Sequence, residues 1–217
     1  MQLGPKAMKN VKGLTFTKLL GSGAKNGFSS LPNLGTYVLL CVWNSEDSAV
    51  NFFAKNSFFT EYSKRSSEQF TVYLHPVESH GYWDGLQPFE TNEKLGLDMP
   101  VLVLTRARIR FNKLWSFWSK VGSISRALER YDGLILSIGV GEWPLIQQAT
   151  ISIWQTQAEM LTYAYKNQKH KEVIKLTRKL NWYKEEMFAR FLPYRFEGIW
   201  EGEDVSNLLQ TMVLKSQ

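Results

Sequence analysis

A chain of 217 residues holds one large domain or two small ones, and 44% apolar residues are enough for a sizeable core. The net charge of +6 comes from scattered residues without a basic run, which argues against a nucleic-acid partner. Cys41 is the single cysteine, which excludes an intrachain disulfide and a cysteine-based zinc cluster.

No long apolar segment opens the chain, so neither a signal peptide nor a membrane span is expected. The cytoplasm is the default location, with peripheral contact to a membrane surface left open. "LTFTKLL" (Leu14 to Leu20) and "TYVLLCVW" (Thr36 to Trp43) predict two strands around a Gly/Ser/Asn/Pro loop. Cys41 lies in the second of these apolar runs and is expected to be buried and inert. Ser45 is a good helix N-cap, and the stripe Val50, Phe53, Phe58 and Tyr62 predicts a helix. "QFTVYLHPV" (Gln69 to Val77) returns as a strand and runs into the turn "GYWDG" (Gly81 to Gly85).

The second part is longer. "MPVLVLTRARIR" (Met99 to Arg110) predicts a strand, and "NKLWSFWSKVGSISRALERY" a helix bent near Gly122. "GLILSIG" (Gly133 to Gly139) and "QATISIW" (Gln148 to Trp154) predict a strand pair around "VGEWPLI". The stretch from Thr156 to Phe191 reads as one over-long helix with a bend near Asn181, and "LPYRFEGIWEG" as a closing strand and turn.

Residues 96–203 therefore read β-α-β-β-α-β, the ferredoxin-like order, and residues 1–95 read β-β-α-β, the same order without its first strand and helix. Residues 204–217 form a tail outside both halves. The halves match in detail. Trp43 corresponds to Trp154, 111 positions on, and "GYWDG" to "GIWEG", 117 positions on. The expected class is α+β, with duplicated ferredoxin-like units forming a dimeric-α+β-barrel-like domain within one chain. A sheet with helices on one face must cover its other face, so the two halves are expected to enclose a space.

No phosphate-binding glycine loop, dinucleotide fingerprint, zinc-protease motif or nucleophile elbow is present. His170 shares a helical stripe with Tyr163, Asn167, Ile174 and Thr177, and the matching position in the first half is Phe59. Such an imidazole is either a hydrogen-bonded surface group or a metal ligand inside the barrel. Arg106, Arg108 and Arg110 alternate along one strand face with Leu102 and Leu104. They either emerge into solvent or grip a carboxylate by forked hydrogen bonds; Arg108 and Arg110 are expected to be exposed. Trp83, Trp143 and Phe89 are candidates for a pocket wall. No catalytic acid, base or nucleophile can be nominated from spacing.

"LTRARIR", "GVGEWPLIQQATISIW", "AYKNQKHKEVIKLTRKLNWYKEEMFARF" and "GYWDGLQPF" resemble the spheroidene monooxygenase family, the acyclic carotenoid 2-ketolases. The resemblance runs from "FTKLLGSGAKNGF" to "GIWEG" and leaves out the tail "VSNLLQTMVLKSQ". It implies a haem b monooxygenase that inserts oxygen into an apolar, carotenoid-like substrate with electrons from reduced ferredoxin or a similar donor. On this chain it makes His170 the iron ligand and Arg106 the propionate anchor. The alternatives are a haem barrel with peroxidase- or dehydratase-like chemistry, and a non-catalytic carrier of haem or an apolar ligand. Oligomeric state is left open.

Overall fold

The computed structural model of the protein describes residues 8–23, 32–91, 94–121, 131, 133–143, 145–166 and 175–215. Its elements run β1 (Leu14–Gly23), β2 (Pro32–Trp43), α1 (Glu46–Lys55), α2 (Ser57–Ser63), β3 (Phe70–Gly81), β4 (Val101–Ile109), a 3-10 turn (Phe111–Lys113), α3 (Leu114–Val121), β5 (Leu134–Trp143), β6 (Gln147–Trp154), α4 (Gln157–Lys166), β7 (Tyr183–Trp200), β8 (Glu203–Asp204) and α5 (Leu208–Lys215).

Local chemistry sets several of these boundaries. The Ser45 hydroxyl accepts from the Ser48 amide at the start of α1, and Glu46 and Asp47 occupy its first turn. The expected single helix is broken at Asn56, which closes α1 and caps α2 by accepting from the Phe59 amide. The long helix expected from Thr156 to Phe191 is not formed. Helix is described over Gln157–Lys166 and again at residues 175–180, but Asn181 takes a left-handed φ of 48°, and Tyr183 begins an 18-residue strand. The deciding signal is period two: Met187, Ala189, Phe191 and Pro193 are buried while Phe188, Arg190 and Leu192 are less so. Pro193 sits beside a register shift, where a missing N–H costs little.

All seven long strands join one antiparallel sheet in the order β2-β1-β5-β6-β4-β7-β3, with β8 paired to β7. The strands of residues 96–203 thus lie as β5-β6-β4-β7, and those of the first half flank them: β1 beside β5, and β3 beside β7. The architecture is a mixed α+β fold whose sheet curls, since β2 and β3 at its two ends line the same cavity. The inner face carries the main core, including Phe16, Leu20, Leu102, Leu104, Ile138, Ile153 and Phe191. The opposite face of β4 packs Val101 and Val103 under Trp154, Met160 and Tyr163. No helix among the described residues is long and apolar enough to cross a membrane.

Candidate active site

Alternation on β4 builds the site. Leu102 and Leu104 face the inside of the curl and line a cavity of about 1910 Å³. Leu136 and Ile138 of β5, Ile151 and Ile153 of β6, and Phe191 of β7 complete that wall. Phe89, carried in by the segment after the "GYWDG" turn, lines the cavity edge-on to Phe191 at 4.9 Å. At the opposite border His75 stacks on Tyr194 at 4.3 Å, and both line the cavity. Phe53, Phe58, Phe59 and Tyr62 of α1 and α2 border it as well. The part of the wall formed by these aliphatic and aromatic side chains suits an extended apolar molecule, while Glu46, Glu61, Arg65, Glu68 and Glu90 line other parts of the same cavity.

Two residues farther along β4, the same face presents Arg106, which is 1% exposed. Its Nη1 binds Glu185, and its Nη2 lies 3.2 Å from Asp84 and 3.6 Å from Glu142. Lys18 binds Asp84 and reaches Glu142 at 2.8 Å. Trp83 is fully buried; its Nε1 donates to Glu142 at 3.0 Å and its ring lies 5.4 Å from the Arg106 guanidinium. Glu185 also accepts from the backbone amides of Asp84 and Gly85 at 3.0 and 2.9 Å.

The electrostatics favour the charged forms. Burial alone would raise the pKa of Asp84, but the hydrogen bond and charge of Lys18, with Arg106 and Arg108, hold it below the ordinary carboxylate range. Burial is likewise outweighed at Glu185 by the Gly85 amide, Arg106 and the Asp84 amide, so its pKa is lowered. Burial would lower Lys18, yet hydrogen bonds to Asp84 and Glu142 raise it. These groups are therefore ionised near neutrality, and the cluster acts as a clamp on the turn rather than a source of protons. Burial pushes the half-buried Cys41 thiol up to about 11, against a weaker contact from Thr17, so it is a poor nucleophile.

Set against the sequence expectations, Phe89 lines the cavity. Trp83 belongs to the clamp and to the core beneath it. Trp143 ends β5 with 65% of its surface exposed and stands outside the cavity wall. Arg106 does point inward, but Glu185, Asp84 and Glu142 engage its terminal nitrogens. Arg108 and Arg110 are half-buried rather than exposed. His170 lies outside the described residues. Lys18, Glu142 and Glu185 were not singled out by sequence reasoning, because each comes from a different strand and only tertiary pairing assembles them.

A protein of Rhodobacter capsulatus named spheroidene monooxygenase is 33% identical over 206 residues, which cover 94% of this chain and 86% of that one. A Rubrivivax gelatinosus protein of the same name is 34% identical over 190 residues, 88% of this chain and 73% of that one. The chain belongs to the spheroidene monooxygenase family. A third member, from Cereibacter sphaeroides, is 38% identical over 87% of this chain, and the chain spans 59% of that relative's length. No family model matches the chain. Among solved structures, a proposed monooxygenase of Fusobacterium nucleatum covers 92% of this chain and 84% of its own at 12% identity, with a TM-score of 0.44. The resemblance expected from "LTRARIR" and "GEWPLIQQATISIW" is thus met by relatives aligned over most of the chain.

Proposed function

We propose that this chain is a monooxygenase that takes an extended apolar substrate of the acyclic carotenoid type into the cavity on the inner face of its sheet. Membership of the spheroidene monooxygenase family supports the reaction class. The observation that carries the substrate class is the cavity of about 1910 Å³ walled by Leu102, Leu104, Ile151, Phe191 and Phe89. Such a wall holds a hydrocarbon chain by area and excludes water from it. The clamp around Arg106 and Trp83 stiffens the end of the cavity where the Phe89 segment enters.

Haem dependence is part of the same proposal. The apolar wall suits the face of a porphyrin. The expected propionate anchor fits less well, since the ion pairs of Arg106 go to carboxylates of the chain itself. His170 is the proposed iron ligand, and neutral imidazole is a suitable one. Bound haem would supply dioxygen activation with electrons from an external donor such as reduced ferredoxin. The chain's own residues contribute the pocket, its dryness and the orientation of the substrate.

The test is spectroscopic and catalytic. Purified protein titrated with haemin is expected to develop a saturable Soret band, and His170→Ala to lose or shift it. With reduced ferredoxin and oxygen, an acyclic carotenoid is expected to yield an oxygenated product by mass spectrometry. A Soret band unchanged in His170→Ala removes the ligand assignment, and haem binding without turnover moves the reading to a carrier.

A further inference from the structure

Residues 68–85 and 185–202 are twins, 117 positions apart, related by a local two-fold relation between β3 and β7. Phe70 pairs with Gly198, and its counterpart Met187 pairs with Gly81. The Glu185 carboxylate accepts from the amides of Asp84 and Gly85; the Glu68 carboxylate accepts from those of Glu201 and Gly202 at 3.1 and 3.0 Å. Asp84 and Glu201 share a left-handed φ of 51°. A second junction obeys the same relation. β1 and β5 occupy matching places in their hairpins, with Leu14 opposite Trp43 and Leu134 opposite Trp154. They meet at Gly21 and Gly141, which are themselves counterparts.

The twins differ in one respect. β4 lies antiparallel between β6 and β7, and among the described residues no strand lies in the matching place between β2 and β3, where the sheet ends. Both faces of that slot bear the mark of the difference. On one side, Arg106 of β4 stands opposite Met187 and pairs with Glu185. The counterparts Glu68 and Glu201 are exposed, and no cation pairs with either among the described residues. On the other side, Trp154 and Tyr163 cover Val101 and Val103 and are buried. Their counterparts Trp43 and Phe52 pack together at 5.2 Å, but Trp43 is left half-buried, as are Phe53 and Phe59 beside them.

We propose that the slot between β2 and β3 is a docking site for one extended strand from outside these 217 residues. That strand would pair antiparallel with both edges, present apolar side chains to α1 and α2 on one face and to the cavity on the other, and place an arginine opposite Phe70. Charge complementarity selects the arginine, because Glu68 and Glu201 repeat two of the three carboxylates that hold Arg106. With the incoming strand the seven long strands become eight, the number at which a small barrel closes and its edges disappear. The relatives from Cereibacter sphaeroides and Rubrivivax gelatinosus are longer than the part this chain matches, 59% and 73% of their lengths, so chain for such a strand exists within them. The inference is independent of haem and of turnover.

The probe is a synthetic peptide with the sequence of the twin strand, Met99 to Arg110, carrying a lysine-rich solubilising tail and a fluorophore. Saturable binding is expected by anisotropy, with hydrogen exchange slowed in β2 and β3 and unchanged in β6. The peptide with Arg106→Glu is expected to bind the unaltered protein at least tenfold more weakly, and Glu68→Lys in the protein to recover part of that loss. The peptide variant leaves the protein's folding untouched, so the charge test stands even if Glu68→Lys is unstable. Equal binding of both peptides, protection confined to other strands, or no binding overturns the proposal. So does a concentration-dependent dimer that protects β2 and β3 without peptide, because a second copy would then occupy the slot.

Discussion

Arg106 shows how one buried charge organises a turn. Its guanidinium is 1% exposed and faces Glu185, Asp84 and Glu142, which are exposed by 20, 39 and 17% at their side chains. Removing it leaves three carboxylates crowded together, with Lys18, and Arg108 near Asp84, to offset them. Arg106→Leu is expected to destabilise the fold by about 3 kcal/mol or more in urea denaturation, the scale of a buried pair that loses one partner. Arg106→Lys recovers little, because a single ammonium cannot reproduce the fork. The pH sign follows from Asp84 and Glu185, whose folded pKa values are depressed. Their stabilisation is complete above the unfolded carboxylate range and is lost as pH falls through the folded values. The penalty of Arg106→Leu should therefore shrink in acid; a penalty constant across that window would mean that the ion pairs contribute nothing. Lys18, whose pKa is raised, adds a stabilisation that is full below its ordinary value and fades at more alkaline pH.

At the scale of elements, the two Gly-x-Trp-acid-Gly turns each depend on their first glycine. Gly81 and Gly198 have φ of 86° and 99°, and a Cβ at either would run into the carbonyl of Glu186 or Gln69 on the paired strand. Gly85 also has a positive φ, 75°, but open space where a Cβ would go. Gly81→Ala and Gly198→Ala are each expected to lower stability by about 2 to 3 kcal/mol, since strain and a backbone clash add, and Gly85→Ala by about 1 kcal/mol from strain alone. Thermal melts of the three variants check the ranking. Similar melting temperatures for all three would show that the strand shifts easily at those points. The element-level error over Thr156 to Phe191 has a physical cause. "WYKEEMFARF" is rich in good helix formers, and single-sequence propensity favours helix there. Pairing with both β4 and β3 overrides it, because burial of Met187, Ala189 and Phe191 on one face outweighs a few tenths of a kcal/mol per residue.

For the molecule as a whole, the cavity is the feature on which the proposed function rests. An acyclic carotenoid that binds there stabilises the folded state by mass action, by about 2.7 kcal/mol at a hundredfold excess over its dissociation constant. Its addition is expected to raise the melting temperature without haem present. Ile151→Trp, which places a larger ring into the wall, should abolish that rise while keeping the fold; a rise undiminished in the variant would put the substrate elsewhere. Much of this architecture was legible from the chain alone. Alternation marked β4 and placed Leu102, Leu104 and Arg106 on one face, and paired landmarks 111 and 117 positions apart exposed the repeat. These are local or periodic signals, written in neighbouring residues, and the backbone obeys them wherever the segment ends up. Which strands become neighbours is a different matter. That β1 meets β5, that Asp84, Glu142 and Glu185 converge on one arginine with Lys18 beside them, and that β2 and β3 stand at the two ends of the sheet depend on contacts between residues far apart in the chain. Such contacts follow from how all the apolar faces are buried at once, so only the tertiary structure decides them.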